Sequence, residues 1–301
     1  MRVLIAGGSG FIGRELQRVL RAEGDEVRLL ARSASTVPDR PDTWFWDPAL
    51  GRGTVPAAAL AWADGLVDLA GAPISQLPWT RARREGILGS RLGAVGTLSA
   101  GLRRAADPPR VWVQASASGY YGSRPGEELP ETAAAGGGFL AGVCRLWERG
   151  ARADERTRIV RVRTGLVLGP DAGSLPPLRA LARLGLTRIG SGEQHWPWIS
   201  LLDEARAIAF ALHGDLTGAV NLAGPQPATA SRVLREIARR AGALPLRVPL
   251  PAAAVRAALG DAGAELFLAD QRLVPQRLTA GGFSFRHPTV TDAVGWALAS
   301  S

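Results

Sequence analysis

Gly7-Gly8-Ser9-Gly10-Phe11-Ile12-Gly13 is the stretch that most constrains what this chain can fold into. The apolar run Val3-Leu4-Ile5-Ala6 precedes it and a helical pattern follows, so the glycines sit where a buried strand turns into a helix. The string satisfies both G-x-G-x-x-G and G-x-x-G-x-x-G. Glycine lets the backbone turn tightly and approach a ligand closely, and the following helix offers unpaired N–H groups at its positive end. Strand, turn and helix in this order are the context in which such a string cradles the pyrophosphate of a dinucleotide. A purely structural glycine turn is the alternative.

The chain downstream keeps the same alternation. Phe11, Ile12, Leu16, Val19 and Leu20 recur at helical spacing, Gly24 closes that helix, and Glu26 to Ala31 reads as a second strand. In a dinucleotide fold the end of this strand meets the adenine ribose, where an acid favours a 2′-hydroxyl and an arginine favours a 2′-phosphate. Here Ala31, Arg32 and Ser33 supply a guanidinium and no carboxylate, which points to NADP(H); a plain surface arginine is the alternative. Trp44 to Asp47 is expected to be a third strand and Gly65 to Gly71 a fourth, ending in the small residues Ala70 and Gly71 beside which a cofactor can pass. One or two helices are expected over 79–105, a fifth strand over Val111 to Ala115, a helix from Phe139 to about Asp154, and a sixth strand over Thr157 to Arg163. This pattern predicts an α/β protein with a Rossmann-type, doubly wound parallel sheet. Beyond Gly169-Pro170 helices at 174–184, 202–213, 229–241, 251–268 and 289–299, with short strands near 186–190 and 218–222, suggest a smaller C-terminal α/β lobe. The expected division is a cofactor-binding domain over 1–169, into which later segments can return, and a substrate-side lobe over 170–301.

A length of 301 residues suits such an architecture, and 46% hydrophobic with 21% charged residues marks a globular chain. No apolar run reaches membrane-spanning length and no signal peptide is visible, so a cytoplasmic address is expected. The net charge of +9 invites a nucleic-acid partner, but every one of the basic residues is arginine and they are spread along the chain, so a solvated basic surface is the preferred reading. The single cysteine, Cys144, has no partner for a disulfide within the chain.

These motifs resemble the extended short-chain dehydrogenase/reductase family, which includes nucleotide-sugar epimerases and dehydratases. The matching pieces are Gly7 to Gly13, Leu69-Ala70-Gly71, Ser116 to Gly122, and Arg163-Thr164-Gly165-Leu166-Val167-Leu168-Gly169-Pro170. Pro78-Trp79-Thr80, Ser90-Arg91, Phe139-Leu140-Ala141 with Cys144 and Trp147-Glu148, Gly190-Ser191-Gly192 with Gln194 and Pro197-Trp198-Ile199, Asn221-Leu222, and Gln271-Arg272 with Pro275 and Arg277-Leu278 are similar to one atypical subgroup, the epimerase-family or YfcH-like proteins. The resemblance covers nearly the whole chain in order.

Standard members carry Tyr and Lys at Y-x-x-x-K spacing and an upstream serine; the tyrosine exchanges a proton with the substrate while hydride passes at the nicotinamide. This chain has no lysine, and aligning the helix on Glu148 puts Leu140 and Cys144 at those positions. The resemblance implies that the subgroup keeps the serine, here Ser116, and loses the pair. Tyr120 and Tyr121 are the candidate replacements for the proton donor, and Cys144 reads as a small core residue. Arg91 is a candidate cofactor contact, and Thr164, Gly165 and Val167 stand where the family's backbone meets the nicotinamide carboxamide. In the glycine- and tryptophan-rich stretch from Gly190 to Trp198, Gln194, His195 and Trp198 are expected to line a loop over a small polar substrate. His195 is a candidate acid or base in that loop, with simple packing among the tryptophans as the alternative, and His213 and His287 show no metal-ligand spacing. The functional expectation is an NADP(H)-dependent oxidoreductase or epimerase-like enzyme; the alternative is a non-catalytic NADP(H)-binding sensor or scaffold.

Overall fold

The computed structural model describes residues 1–32, 42–50, 55–170, 172–242 and 248–300. They form two compact units that interleave along the chain. The first takes residues Met1–Ser116, Val143–Val162 and Ala205–Ala219, and the second Ala117–Gly142, Arg163–Glu204 and Val220–Ser301. Residues 205–219 return to the first unit and residues 117–142 join the second, so the chain passes between the units several times.

The first unit is organised by a parallel sheet. In chain order its elements are β1 (Arg2–Ala6), α1 (Phe11–Ala22), β2 (Glu26–Ala31), β3 (Thr43–Phe45), α2 (Ala57–Trp62), β4 (Gly65–Asp68), α3 (Arg81–Arg104) and β5 (Val111–Ala117). After β6 (Glu128–Leu129) come α4 (Phe139–Gly150), β7 (Arg158–Thr164), β8 (Leu166–Leu168), α5 (Leu175–Arg183), β9 (Arg188–Ile189), β10 (Trp198–Ser200), α6 (Leu201–His213) and β11 (Gly218–Leu222). The sheet order is β11-β7-β5-β4-β1-β2-β3. β1 pairs in parallel with β2 and β4, placing Leu4 opposite Arg28 and Leu66. Val3 to Ala6 are completely buried, as a strand covered on both faces requires.

α1 buries Gly13, Leu16, Val19 and Leu20, one apolar face at helical spacing. Gly24 follows it at φ +87°, and Asp25 N–H returns to the Leu20 carbonyl at 2.9 Å, the glycine stop read from the sequence. α3 is a single helix whose Thr80 side chain accepts from Arg83 N–H at its start. The helix expected to run to about Asp154 ends at Gly150. Ser99 Oγ donates to the Gly150 carbonyl at 2.6 Å and accepts from Arg152 N–H at 3.0 Å, taking over the bonds a further turn would make. The third strand also starts and ends earlier than expected, at Thr43–Phe45.

The second unit continues with α7 (Ala230–Arg240), β12 (Pro249–Leu250), α8 (Ala252–Gly263), β13 (Arg272–Leu273), α9 (Gln276–Ala280) and α10 (Val290–Ala299). Its short strands pair in parallel twos: β10 with β8, β12 with β9, and β13 with β6. Its core gathers Leu168, Leu178, Trp198, Val233, Leu234, Ile237, Val290 and Val294 from elements far apart in sequence. The helix expected over 251–268 is interrupted: Gly260 lies at φ +55° within α8, and Ala264–Leu268 form a π-helical turn. That turn carries Glu265, whose carboxylate accepts the first two free N–H groups of α4, from Phe139 and Leu140, both at 2.8 Å. A charged cap on a helix N-terminus contributes about 1–2 kcal/mol. Glu265→Ala is therefore expected to lower the unfolding free energy by about that amount, read by urea titration, with Glu265→Gln intermediate.

Candidate functional site

The glycine turn is built in the first unit by close backbone packing. Gly7 adopts φ +79°, and a Cβ there would stand 2.7 Å from the Leu69 carbonyl carbon and 2.9 Å from Ala70 N. A Cβ on Gly13 would fall 2.5 and 2.6 Å from the carbonyl oxygens of Gly7 and Gly8. Glycine at these positions therefore joins the turn, the start of α1 and the end of β4, bringing the predicted stretches 7–13 and 69–71 together. Gln17 Nε2 donates to the Gly8 carbonyl at 2.9 Å, and Arg14 Nη1 to Ser9 O at 2.7 Å, holding the loop from the helix side. Gly10 is the N-cap of α1 and offers no side-chain cap, and no acid occupies the first turn. Ser9 and Gly10 are exposed and Phe11 and Ile12 half-buried, so the positive helix end is open to an anion. Ala31 ends β2 half-buried, and Arg32 beside it is exposed; Ser33 lies outside the described residues.

Arg91 lies against the same stretch. A Cβ on Gly71 would meet its guanidinium carbon at 3.2 Å. Its Nη1 donates to the carbonyls of Ala72 and Ile87 at 3.0 and 3.1 Å, and the guanidinium stacks over Trp147 with its centre 4.9 Å from the ring. Burial lowers the Arg91 pKa below the usual arginine value. Ser90 Oγ accepts from Ala72 N–H at 3.0 Å, so the Ser90-Arg91 pair clamps the loop after β4 from two sides.

Asp68, read in the sequence only as part of the fourth strand, ends β4 next to the 69–71 stretch. It is fully buried at the end of β4; Oδ1 accepts from Ala70 N–H at 2.9 Å, and Oδ2 has no hydrogen-bond partner among the described residues. Burial pushes its carboxyl up to about 6, against hydrogen bonds from Ala70 and Gln114 and the charge of Arg91. The signal available in the sequence was a charged residue inside an otherwise apolar strand, Gly65-Leu66-Val67-Asp68.

Ser116, at the end of β5, is buried, and its Oγ donates to Glu148 Oε1 at 2.7 Å. The serine proton is thus committed to a carboxylate of α4. Cys144 is buried, as expected of a small core residue.

The remaining predicted residues belong to the second unit, where the two tyrosines separate. Tyr121 is fully buried; its hydroxyl donates to Asn221 Oδ1 at 2.7 Å and accepts from Arg163 Nη1 at 2.8 Å. Asn221 in turn donates to the carbonyls of Leu129 and Val274, and Glu131 Oε1 accepts from the backbone of Asn221 and Arg277. Desolvation pushes the Tyr121 hydroxyl above its ordinary pKa. This tyrosine is a strut in a buried network. Tyr120 is half-buried, with the Arg163 guanidinium 3.5 Å from its ring centroid and the Tyr121 ring edge-on at 5.3 Å. Leu140, which the sequence aligned with the usual tyrosine, packs against buried Gly119.

Thr164 Oγ1 donates to Glu204 Oε1 at 2.7 Å, Gly165 N–H to Leu222 O at 3.0 Å, and Val167 is buried in β8 opposite Ile199. Gln194 and Trp198, expected to line a substrate loop, turn inward. Gln194 Nε2 donates to the carbonyls of Ile189 and Phe267, while Trp198 is 1% exposed and donates to Gln226 O. Of the three loop residues only His195 is half-exposed. His213 groups with Glu23 and Asp25, a trio able to hold a cation by its ligand types, but its charges are already paired: Asp25 Oδ1 lies 2.6 Å from the terminal ammonium and Oδ2 lies 3.0 Å from His213 Nε2.

A parallel α/β sheet with a glycine cradle at the first strand-to-helix turn defines a nucleotide-binding class, and the comparisons place the chain within it. The chain belongs to the NAD dependent epimerase/dehydratase family, whose model matches residues 3–223. Residues 250–297 match a domain of unknown function, DUF1731. Epimerase family protein Mb2239 of Mycobacterium bovis is 38% identical over 299 residues, covering 98% of this chain and 97% of its own. Human epimerase family protein SDR39U1 is 33% identical over 300 residues, covering 98% of each. The crystal structure of human SDR39U1 isoform 2 with NADPH matches with a TM-score of 0.90 at 31% identity over the full length of both chains. Thermus thermophilus UDP-glucose 4-epimerase in complex with NAD, at 20% identity and a TM-score of 0.71, shares the fold.

Proposed function

We propose that this protein is an NADP(H)-dependent oxidoreductase or epimerase-like enzyme of the extended short-chain type, acting on a small polar, sugar-like carbonyl or alcohol without the usual Tyr/Lys pair. The observation that carries this reading is the cradle, in which Gly7 and Gly13 admit no Cβ and the N-terminus of α1 has no internal anion. The human relative crystallised with NADPH supports the same cofactor. Gly7 to Gly13 would receive the pyrophosphate, Arg32 the 2′-phosphate, and Leu69 to Gly71 with Arg91 the stretch beyond it. When bound, the cofactor supplies or accepts hydride. Tyr120 is the better placed of the two tyrosines to meet a substrate, because its side chain is half-exposed while the Tyr121 hydroxyl is engaged on both sides.

Fluorescence titration with NADPH and NADH tests the cofactor assignment. Arg32→Ala is expected to weaken NADPH roughly 10–100-fold, the worth of a lost charged hydrogen-bond pair, and to leave NADH unchanged. Equal weakening of both would remove Arg32 from the 2′-phosphate site. For the reaction, the measurement is NADPH consumption with a panel of hydroxyaldehydes and hydroxyketones; binding without turnover of any member counts against an enzyme.

A second reading, a non-catalytic NADP(H) sensor or scaffold, is favoured by a specific observation. The Ser116 and Tyr121 protons are both committed to internal acceptors, and aligning the helix on Glu148 puts Leu140 and Cys144 at the usual tyrosine and lysine positions. Thermal stability that responds differently to NADP and NADPH, without turnover, supports it. Both readings assign a cytoplasmic protein with a small-molecule partner and give the arginine-rich surface no nucleic-acid or membrane role; a gel shift at physiological salt checks the former. Among the described residues no helix is long and apolar enough to cross a membrane.

A further inference from the structure

Within the first unit, the strip that follows β4 rests on a carboxyl group poorly provided for as an anion. Asp68 is 0% exposed, and only one of its oxygens is bonded: Oδ1 accepts from Ala70 N–H at 2.9 Å, while Oδ2 has no hydrogen-bond partner among the described residues. Its in-register neighbour on β5 is Gln114, equally buried and within hydrogen-bond reach of the carboxyl. Gln114 Nε2 donates to the Ala115 carbonyl at 3.0 Å, and Oε1 is left without a partner as well. Buried acceptors in this condition have lost water and gained nothing in return. A proton on Asp68 Oδ2 removes one orphan acceptor and offers a donor to the other.

The groups around Asp68 supply one charge. From α3 the Arg91 guanidinium acts on it, but Nη1 is bonded to the Ala72 and Ile87 carbonyls and the plane lies over Trp147. Arg91 is itself acted on by Cys144 of α4 and by Arg83. From β1 the in-register residue is the uncharged Ala6, and from β5 it is Gln114. Burial outweighs these influences, which is why the carboxyl stands at about 6 and changes charge close to neutral pH. Leu69 and Ala70, the next two residues, pack against Gly7 of the cradle. An anionic dinucleotide on this strip therefore adds negative charge beside Asp68, and like charge disfavours the carboxylate.

We propose that Asp68 is a proton-linked positioning residue of the cofactor site: Oδ1 holds the Ala70 N–H, Oδ2 carries a proton in the form that binds the dinucleotide best, and binding takes up that proton. The inference rests on the NADP(H) reading above. Its sign follows from linkage. With the carboxyl at about 6 in the free protein and higher beside bound cofactor, affinity is full at a pH below both values. It falls as pH rises between them and levels off once both states are ionised. A rise of about one unit on binding makes the two limits differ about tenfold.

Asp68→Asn separates this role from bracing, because the asparagine keeps an oxygen for Ala70 N–H, offers Nδ2 to Gln114 Oε1 and has no proton to lose. In fluorescence titrations with NADPH the two proteins are expected to agree within about twofold near pH 5.5, and the variant to bind about tenfold more tightly near pH 8. The 2′-phosphate of NADPH titrates at about pH 6 against both proteins alike, so the ratio of their affinities is the readout. Calorimetry near pH 7 in phosphate and in Tris, whose ionisation heats differ, counts protons; the wild type is expected to take up a fraction of a proton per NADPH that the variant does not. A ratio that is flat with pH, equal proton counts, or weaker binding by the variant throughout overturns the role of Asp68 and leaves the NADP(H) reading standing. Wild-type protein that binds no NADPH at any pH removes that reading and this one with it.

Discussion

Gly7→Ala is expected to lower the unfolding free energy by roughly 3 kcal/mol and to abolish NADPH binding. The left-handed backbone at φ +79° costs an L-residue about 1–2 kcal/mol. The added methyl also meets main-chain atoms of Leu69 and Ala70 at 2.7 to 2.9 Å, and a strand end in a parallel sheet has little room to retreat. Two control substitutions divide these contributions. Gly24 has φ +87° but nothing within 4 Å of where its methyl would stand, so Gly24→Ala reports the backbone cost alone. Gly8 has no such φ and faces the flexible end of Leu29, so Gly8→Ala reports a contact that can relax. Urea unfolding of the three variants, with NADPH titration, is the measurement. A Gly7→Ala loss no larger than that of Gly24→Ala would show that the cradle tolerates movement of the 69–70 backbone.

Glu204→Gln is expected to stabilise the protein, and to do so only above acidic pH. Glu204 is completely buried in the first turn of α6; Thr164 donates to Oε1, and Oε2 has no hydrogen-bond partner among the described residues. Burial pushes its carboxyl up to about 8 from 4.5, with the Thr164 bond acting in the opposite sense. The unfolded chain releases this proton near pH 4.5, whereas the folded chain keeps it to about pH 8. Stability therefore falls as pH rises through that interval and levels off above it. Glutamine keeps an acceptor for Thr164 and has no proton to release. The variant should match the wild type near pH 4.5 and exceed it at pH 8 by on the order of 4 kcal/mol, most of the linkage value of about 5 kcal/mol for a shift of this size. Asp68, raised to about 6, adds a slope of the same sign at lower pH that remains in the variant. Denaturant melts at pH 5 and pH 8 decide the matter; parallel changes in both proteins would mean that Glu204 is ionised in the fold.

The parts of the molecule legible in the sequence are those fixed by local rules. Gly7 to Gly13, the α1 face through Leu16 and Leu20, and the Gly24 stop depend on backbone conformation and periodicity within a few residues. Most helices of the second unit lie within a residue or two of their periodic patterns for the same reason. The end of α4 was not legible because it is set by Ser99, far away in sequence, and the break in α8 depends on one glycine adopting a positive φ that a helical pattern does not announce. At the candidate site, composition suggested that Gln194 and Trp198 line a loop over a substrate, yet both are drawn inward by carbonyl acceptors at Ile189, Phe267 and Gln226. Adjacent tyrosines could not be told apart until Asn221 and Arg163 were seen to meet the hydroxyl of only one of them.

The return of residues 205–219 to the first unit also sets an order of events during synthesis. Ala205, Ala207, Ile208, Ala211 and Leu212 of α6 are buried, and Arg158 in β7 donates to the carbonyls of Ala211 and Leu212 at 3.1 Å. A nascent chain released only as far as the sixth strand carries the whole glycine cradle but leaves the opposite flank of its sheet bare. The cofactor-binding half therefore cannot reach its final stability until the ribosome has passed residue 219, by which time much of the other half has already emerged. Chains arrested between about 165 and 205 are expected to expose that apolar flank and to depend on chaperones, whereas those arrested beyond 222 can complete it.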